Sequence, residues 1–79
     1  MDISVLFFGA TANTVGERSI EISLPDCATS NTVFEQIKDK FPKLNSHKLL
    51  YSLNQNYATG DEIVRDGDEI AIFTAVSGG

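Results

Sequence analysis

One stretch of this chain alternates cleanly between apolar and polar positions: "SIEISLP", Ser19 to Pro25. Ile20, Ile22 and Leu24 fall on one side and Ser19, Glu21 and Ser23 on the other, the two-residue period of a half-buried strand. Pro25 ends it, because proline has no N–H to give a ladder. Upstream, "DISVLFF" is β-branched and aromatic and reads as a first strand. Between the two, "ATANTVGE" is polar and rich in breakers and reads as a loop, which makes the pair a hairpin.

The period then changes. In "TVFEQIKDKFP", Val33, Phe34, Ile37 and Phe41 recur at helical spacing and form one apolar stripe, read as core packing. Thr32 with Glu35 three residues on is a capping-box pattern, so the helix is predicted to start there. Pro42 cannot continue it, and Lys38, Lys40 and Lys43 suit the negative pole of its dipole. "KLLYSLNQNY" reads as a third strand running into a turn at 54–56. "ATGDEIVRDGDE" is a connection with a tight turn at Asp66-Gly67, and "EIAIFTAV" is the last strand.

Strand, strand, helix, strand, strand predicts an α+β domain in two layers, a mixed four- to five-stranded sheet with one main helix across one face. A last strand inserted beside the first would make it a β-grasp. Face parity sharpens this. If Ile3, Val5 and Phe7 join Ile20, Ile22, Ile70 and Ile72 beneath the helix, then Leu6, Phe8 and Phe73 point the other way, with Tyr57 as a further candidate. One helix cannot cover both sides. The second face is therefore expected to be an apolar docking surface, the alternative being that loops fold over it.

Composition narrows the function classes. The 79 residues make one small domain with ordinary hydrophobic (42%) and charged (22%) content. No apolar run approaches the roughly 20 residues of a membrane span, and "MDISVLFFG" lacks the basic region and cleavage site of a signal peptide, so a cytoplasmic location is expected. Cys27 and His47 are each the single residue of their type. Neither a disulfide nor a metal cage can be assembled from them, and His47 is not read as part of a Ser/His/Asp triad. Cys27 reads as partly buried and structural, His47 as a surface residue. The net charge of −5 and six scattered basic residues argue against nucleic acid. Asp61, Glu62, Asp66, Asp68 and Glu69 form an acidic run, read as a solvated face, with steering toward a basic partner as the alternative.

The chain finishes on "VSGG", directly after its last apolar run. At an average glycine usage of about 7%, a Gly-Gly ending arises by chance in roughly one chain in 200. "VLFFGA", "SLNQNY", "GERSIEISLP" and "DGDEIAIFTAVSGG" together resemble the small, sulfur-carrier subunit of molybdopterin synthase, in the ubiquitin-related group of carriers, over essentially the whole length. The resemblance implies a ubiquitin-like β-grasp over residues 1–75 and a Gly-Gly tail over 76–79. It implies no cofactor held by this chain. A partner of the ubiquitin-activating type would use ATP to adenylate the carboxylate of Gly79, and a sulfurtransferase would convert it to a thiocarboxylate. The tail would enter the large subunit of the synthase and give sulfur to cyclic pyranopterin monophosphate.

The two glycines suit this chemistry. An α-carboxyl group of pKa about 3.3–3.7 is ionised at neutral pH and can attack a phosphate. Gly78 and Gly79 lack a Cβ and can pass a narrow channel. Val76, Ser77 and the glycines would span about 13–14 Å when extended. By the same resemblance Gly79 carries the reactive carbonyl and Gly78 gives clearance, while Phe73, Phe8, Tyr57 and Leu6 would meet the large subunit. Relatives often carry Pro-Pro where this chain has Thr74-Ala75, whose free N–H groups would let the last strand run further. Rival readings are a carrier for thiamine or tRNA thiolation, a ubiquitin-like modifier of lysines, and a binding domain whose glycines are incidental.

Overall fold

A computed structural model of the chain describes residues 1–74. Five strands form one mixed sheet: β1 (Asp2–Phe7), β2 (Ser19–Ser23), β3 (Leu49–Leu53), β4 (Asn56–Tyr57) and β5 (Glu69–Thr74). Their order is β2-β1-β5-β3-β4, with β1 and β5 parallel and the other pairs antiparallel. The last strand therefore lies beside the first, as the β-grasp reading expected. Helix α2 (Ser30–Lys40) supplies the crossover.

Alternation decides which side is buried. Ile3, Val5, Phe7, Ile70 and Ile72 meet Val33 and Ile37 of α2 in one core, with Leu24, Leu44 and Val64 closing its margins. Ile20, Ile22, Leu49, Tyr51 and Leu53 pack against it, half-buried, as do Phe34 and Phe41 of the predicted stripe. Burying each large aliphatic side chain contributes about 1.5–3 kcal/mol, so this layer holds the domain together.

The structure corrects four expectations. "ATANTVGE" is not a plain loop: Ala10–Val15 form a short helix, α1. Gly9 (φ 59°) turns the chain into it, and Gly16 (φ 83°) ends it with its N–H on the Ala12 carbonyl at 2.8 Å. Thr11, Ala12 and Val15 face the core at helical spacing, an amphipathic pattern hidden by the polar threonine. Second, α2 begins three residues early. Thr29, in extended backbone, caps it by accepting from the Thr32 N–H at 3.2 Å. Glu35 makes no capping box and instead pairs with Lys38 at 2.9 Å.

Third, Cys27 is exposed. It sits at φ 69° in the bend between buried Leu24 and Ala28, where the backbone aims it outward. Fourth, the turn after β3 takes only Asn54 (φ 49°) and Gln55 (φ 72°), a two-residue left-handed turn that leaves Asn56 in β4. Among the described residues no helix is long and apolar enough to cross a membrane.

Candidate functional site

The face of the sheet away from α2 is assembled by register. Leu6 lies opposite Ala71, Ala71 opposite Ser52, Ser52 opposite Tyr57, and Leu50 opposite Phe73. Residues paired across a ladder share a face, so Leu6, Ala71, Phe73, Leu50 and Tyr57 form one apolar surface over four strands. Phe8 extends it beyond the end of β1. Neither helix packs there. Tyr57 is 76% exposed, Phe8 51% and Leu50 41%, a concentration of uncovered apolar side chains on one face.

The predicted interface residues fall into two pairs. The rings of Tyr57 and Phe73 meet edge-on, with centroids 6.0 Å apart. Leu6 and Phe8 line one shallow depression with Arg18 and Asn13. Ala71 and Leu50 bridge the pairs. Leu50 escaped the sequence reading, although the parity of "LLYSL" signals it: Leu49, Tyr51 and Leu53 are core-side, so Leu50 is not.

A buried hydroxyl fixes how the site ends. Thr11 is fully buried, and its Oγ1 reaches the carbonyls of Phe8 at 2.7 Å and Ile72 at 3.1 Å. The Phe8 N–H also donates to Ile72 O at 3.0 Å. α1 thus ties the end of β1 to β5 one residue before Phe73. Nothing in the sequence announces this, because the bond from the Thr11 hydroxyl to Ile72 spans 61 residues. β5 is described through Thr74; Val76, Ser77, Gly78 and Gly79 lie outside the described residues, as does Ala75.

The acidic run is mostly structural, a role neither sequence reading gave it. Asp66 Oδ1 accepts from the Asp2 N–H at 2.7 Å, and Asp68 accepts from the Arg65 N–H at 2.8 Å and from Asn54 at 3.1 Å. Glu62 takes the Ser30 hydroxyl at 2.6 Å and the N–H groups of Thr59 at 2.8 Å and Gly60 at 3.0 Å. These donors, the Ser30 hydroxyl first, hold its carboxyl at about 2 against an ordinary 4.5. The Glu62 knot fastens the long connection to the start of α2. His47 is half-buried, within 2.7 Å of Thr14 Oγ1, and so also serves packing. Among the described residues no group of three His, Cys, Asp or Glu side chains is placed to hold a metal ion.

A mixed sheet with a parallel central pair, one crossing helix and a bare apolar face defines a ubiquitin-like β-grasp domain. SAMP1 from Haloferax volcanii superposes with a TM-score of 0.87 over all of both chains, at 24% identity. A chain from the protein–protein complex of subunits 1 and 2 of the molybdopterin-converting factor of Helicobacter pylori does so with a TM-score of 0.71, at 23% identity over all of both chains. The sequence goes further than the fold. The ThiS family matches residues 5–79, and the chain belongs to it. The molybdopterin synthase sulfur carrier subunit of Haemophilus influenzae is 37% identical over 98% of this chain and 99% of its own length.

Proposed function

We infer that this chain is the sulfur carrier of a molybdopterin synthase, and that the main-chain carboxyl group of Gly79 is the atom-bearing end of the carrier. The observation that supports it best is the full-length match to a sulfur carrier subunit, within a family whose match reaches Gly79. On this reading the carboxylate oxygen attacks the α-phosphate of ATP on an activating enzyme, and pyrophosphate leaves. The acyl-adenylate carbonyl is then open to sulfide-level sulfur (HS−), with AMP as leaving group, and a thiocarboxylate results. Its sulfur then attacks the pterin precursor in the large subunit, and water cleaves the acyl–sulfur bond, leaving the sulfur on the pterin and returning Gly79 to the carboxylate.

The globular body presents the tail. The Leu6, Phe8, Leu50, Tyr57 and Phe73 surface docks on the large subunit, and its burial offsets the ordering cost of threading Val76–Gly79. General acid and base groups belong to the partners, so the chain alone is not an enzyme, and it binds no cofactor of its own. The test is a chain extended by one residue beyond Gly79. It should fold with unchanged melting temperature and fail to support pterin synthesis. Retained synthesis would refute the carrier role of that carboxyl group.

A further inference from the structure

The two edges of the sheet are finished differently. β4 closes one side with two residues. β2 closes the other with five, and no described strand lies beyond it. The ladder with β1 decides which groups are left over. The Phe7 N–H donates to Arg18 O and the Leu24 N–H to Met1 O, both at 2.8 Å. In the antiparallel register, residues 18, 20, 22 and 24 therefore turn their peptide groups toward β1. Ser19, Glu21 and Ser23 turn theirs outward, an open row of donors and acceptors in the plane of the sheet. Proline, lysine and bulges, the usual means of closing such an edge, are missing from this strand.

Beside the row, between β2 and α2, runs a groove of about 370 Å³ lined by Glu21, Ile22 and Ser23 of the strand and by Gln36, Ile37, Asp39 and Lys40 of the helix. Ile22 and Ile37 lie on the helix side; Glu21 borders the groove as part of the strand, and strand alternation sets its exposed side chain on the other face of the sheet. A second copy of this chain suits the edge poorly. Ser19-Ile20-Glu21-Ile22-Ser23 reads the same in both directions, so two copies paired antiparallel in full register set their Glu21 carboxylates opposite each other. Like charges directly opposite are destabilising.

We propose that the β2 edge docks an extended segment of another protein, adding a strand to the sheet, and that this segment carries Lys or Arg at its centre with a β-branched apolar residue on each side. The central base faces Glu21. Its two neighbours, on the opposite face by strand alternation, enter the groove over Ile22 and Ile37. The site lies at the far edge from β3 and β4 and does not depend on the sulfur-carrier reading.

The probe is a capped Thr-Val-Lys-Val-Thr peptide titrated into the isotope-labelled full chain, followed by amide NMR. Saturable shifts are expected at residues 19–23 and 36–40. Replacing the central lysine of the peptide by glutamate should weaken binding about fivefold. Glu21→Pro removes an outward N–H without cutting a bond to β1, and should abolish the shifts. Glu21→Lys should transfer the preference to the glutamate peptide, which keeps the test valid if the proline variant does not fold. Absence of binding, shifts centred on Leu6 and Phe73, indifference to peptide charge, or shifts that grow with protein concentration alone would each overturn the proposal.

Discussion

The two faces of one sheet, read along the same strands, part company residue by residue. On β5, Ile70 and Ile72 are fully buried under α2, while Ala71 and Phe73 between and beyond them face away from any helix. On β3, Tyr51 packs in and Leu50 stands out. One face is apolar because it is filled, the other although it is not. A domain that needed only to fold would place polar residues there, as β2 does with Ser19, Glu21 and Ser23. The covered face therefore belongs to stability, the bare face is the one proposed to dock on the large subunit, and substitutions should separate the two.

The largest effect on folding is expected on the covered side. Ile72→Ala leaves a cavity at the centre of the core and should cost about 2–5 kcal/mol in denaturant titrations. A loss under 1 kcal/mol, on the order of a surface change, would mean that the helix does not carry the core. Phe73→Ala, one position away, should invert the pattern. Its half-buried ring leaves only about 1–1.5 kcal/mol of folding stability to lose, but binding to the large subunit should weaken about tenfold or more by calorimetry. Equal damage to both would erase the division between the faces.

The smallest effect lies off both faces, in the Glu62 knot. A carboxyl group held near 2 when folded and near 4.5 when unfolded adds stability that is complete above 4.5 and lost as the pH falls toward about 2. Glu62→Gln should lower the melting temperature at neutral pH and flatten its fall across that acid range. An unchanged acid profile would show that the hydrogen bonds from Ser30, Thr59 and Gly60 do not persist in solution.

What the sequence revealed follows the same division. Strand parity carried the covered face, from Ile3, Val5 and Phe7 to Ile70 and Ile72, because alternation is a local signal. It also carried Leu6, Phe8 and Phe73 to the bare face. Leu50 was harder to read, since "LLYSL" holds apolar residues on both sides and hides its alternation. α1 was not legible at all: Thr11 looks polar until its hydroxyl is seen spanning Phe8 and Ile72. The roles of Glu62 and Asp66 were hidden for a similar reason, their partners being 32 and 64 residues distant in the chain. The capping pattern at Thr32 misled because Thr29, three residues earlier, offers the same oxygen to a better-placed N–H.

The central claim is that the carboxyl group of Gly79 carries sulfur and that the bare face delivers it. The most direct measurement is a single-turnover reaction of the chain bearing a thiocarboxylate at Gly79 with the large subunit and cyclic pyranopterin monophosphate, read by intact mass of the carrier. The carrier is expected to exchange its sulfur for oxygen in step with dithiolene formation, and Phe73→Ala to slow this at limiting large subunit. A carrier that keeps its sulfur while the pterin product forms would contradict it.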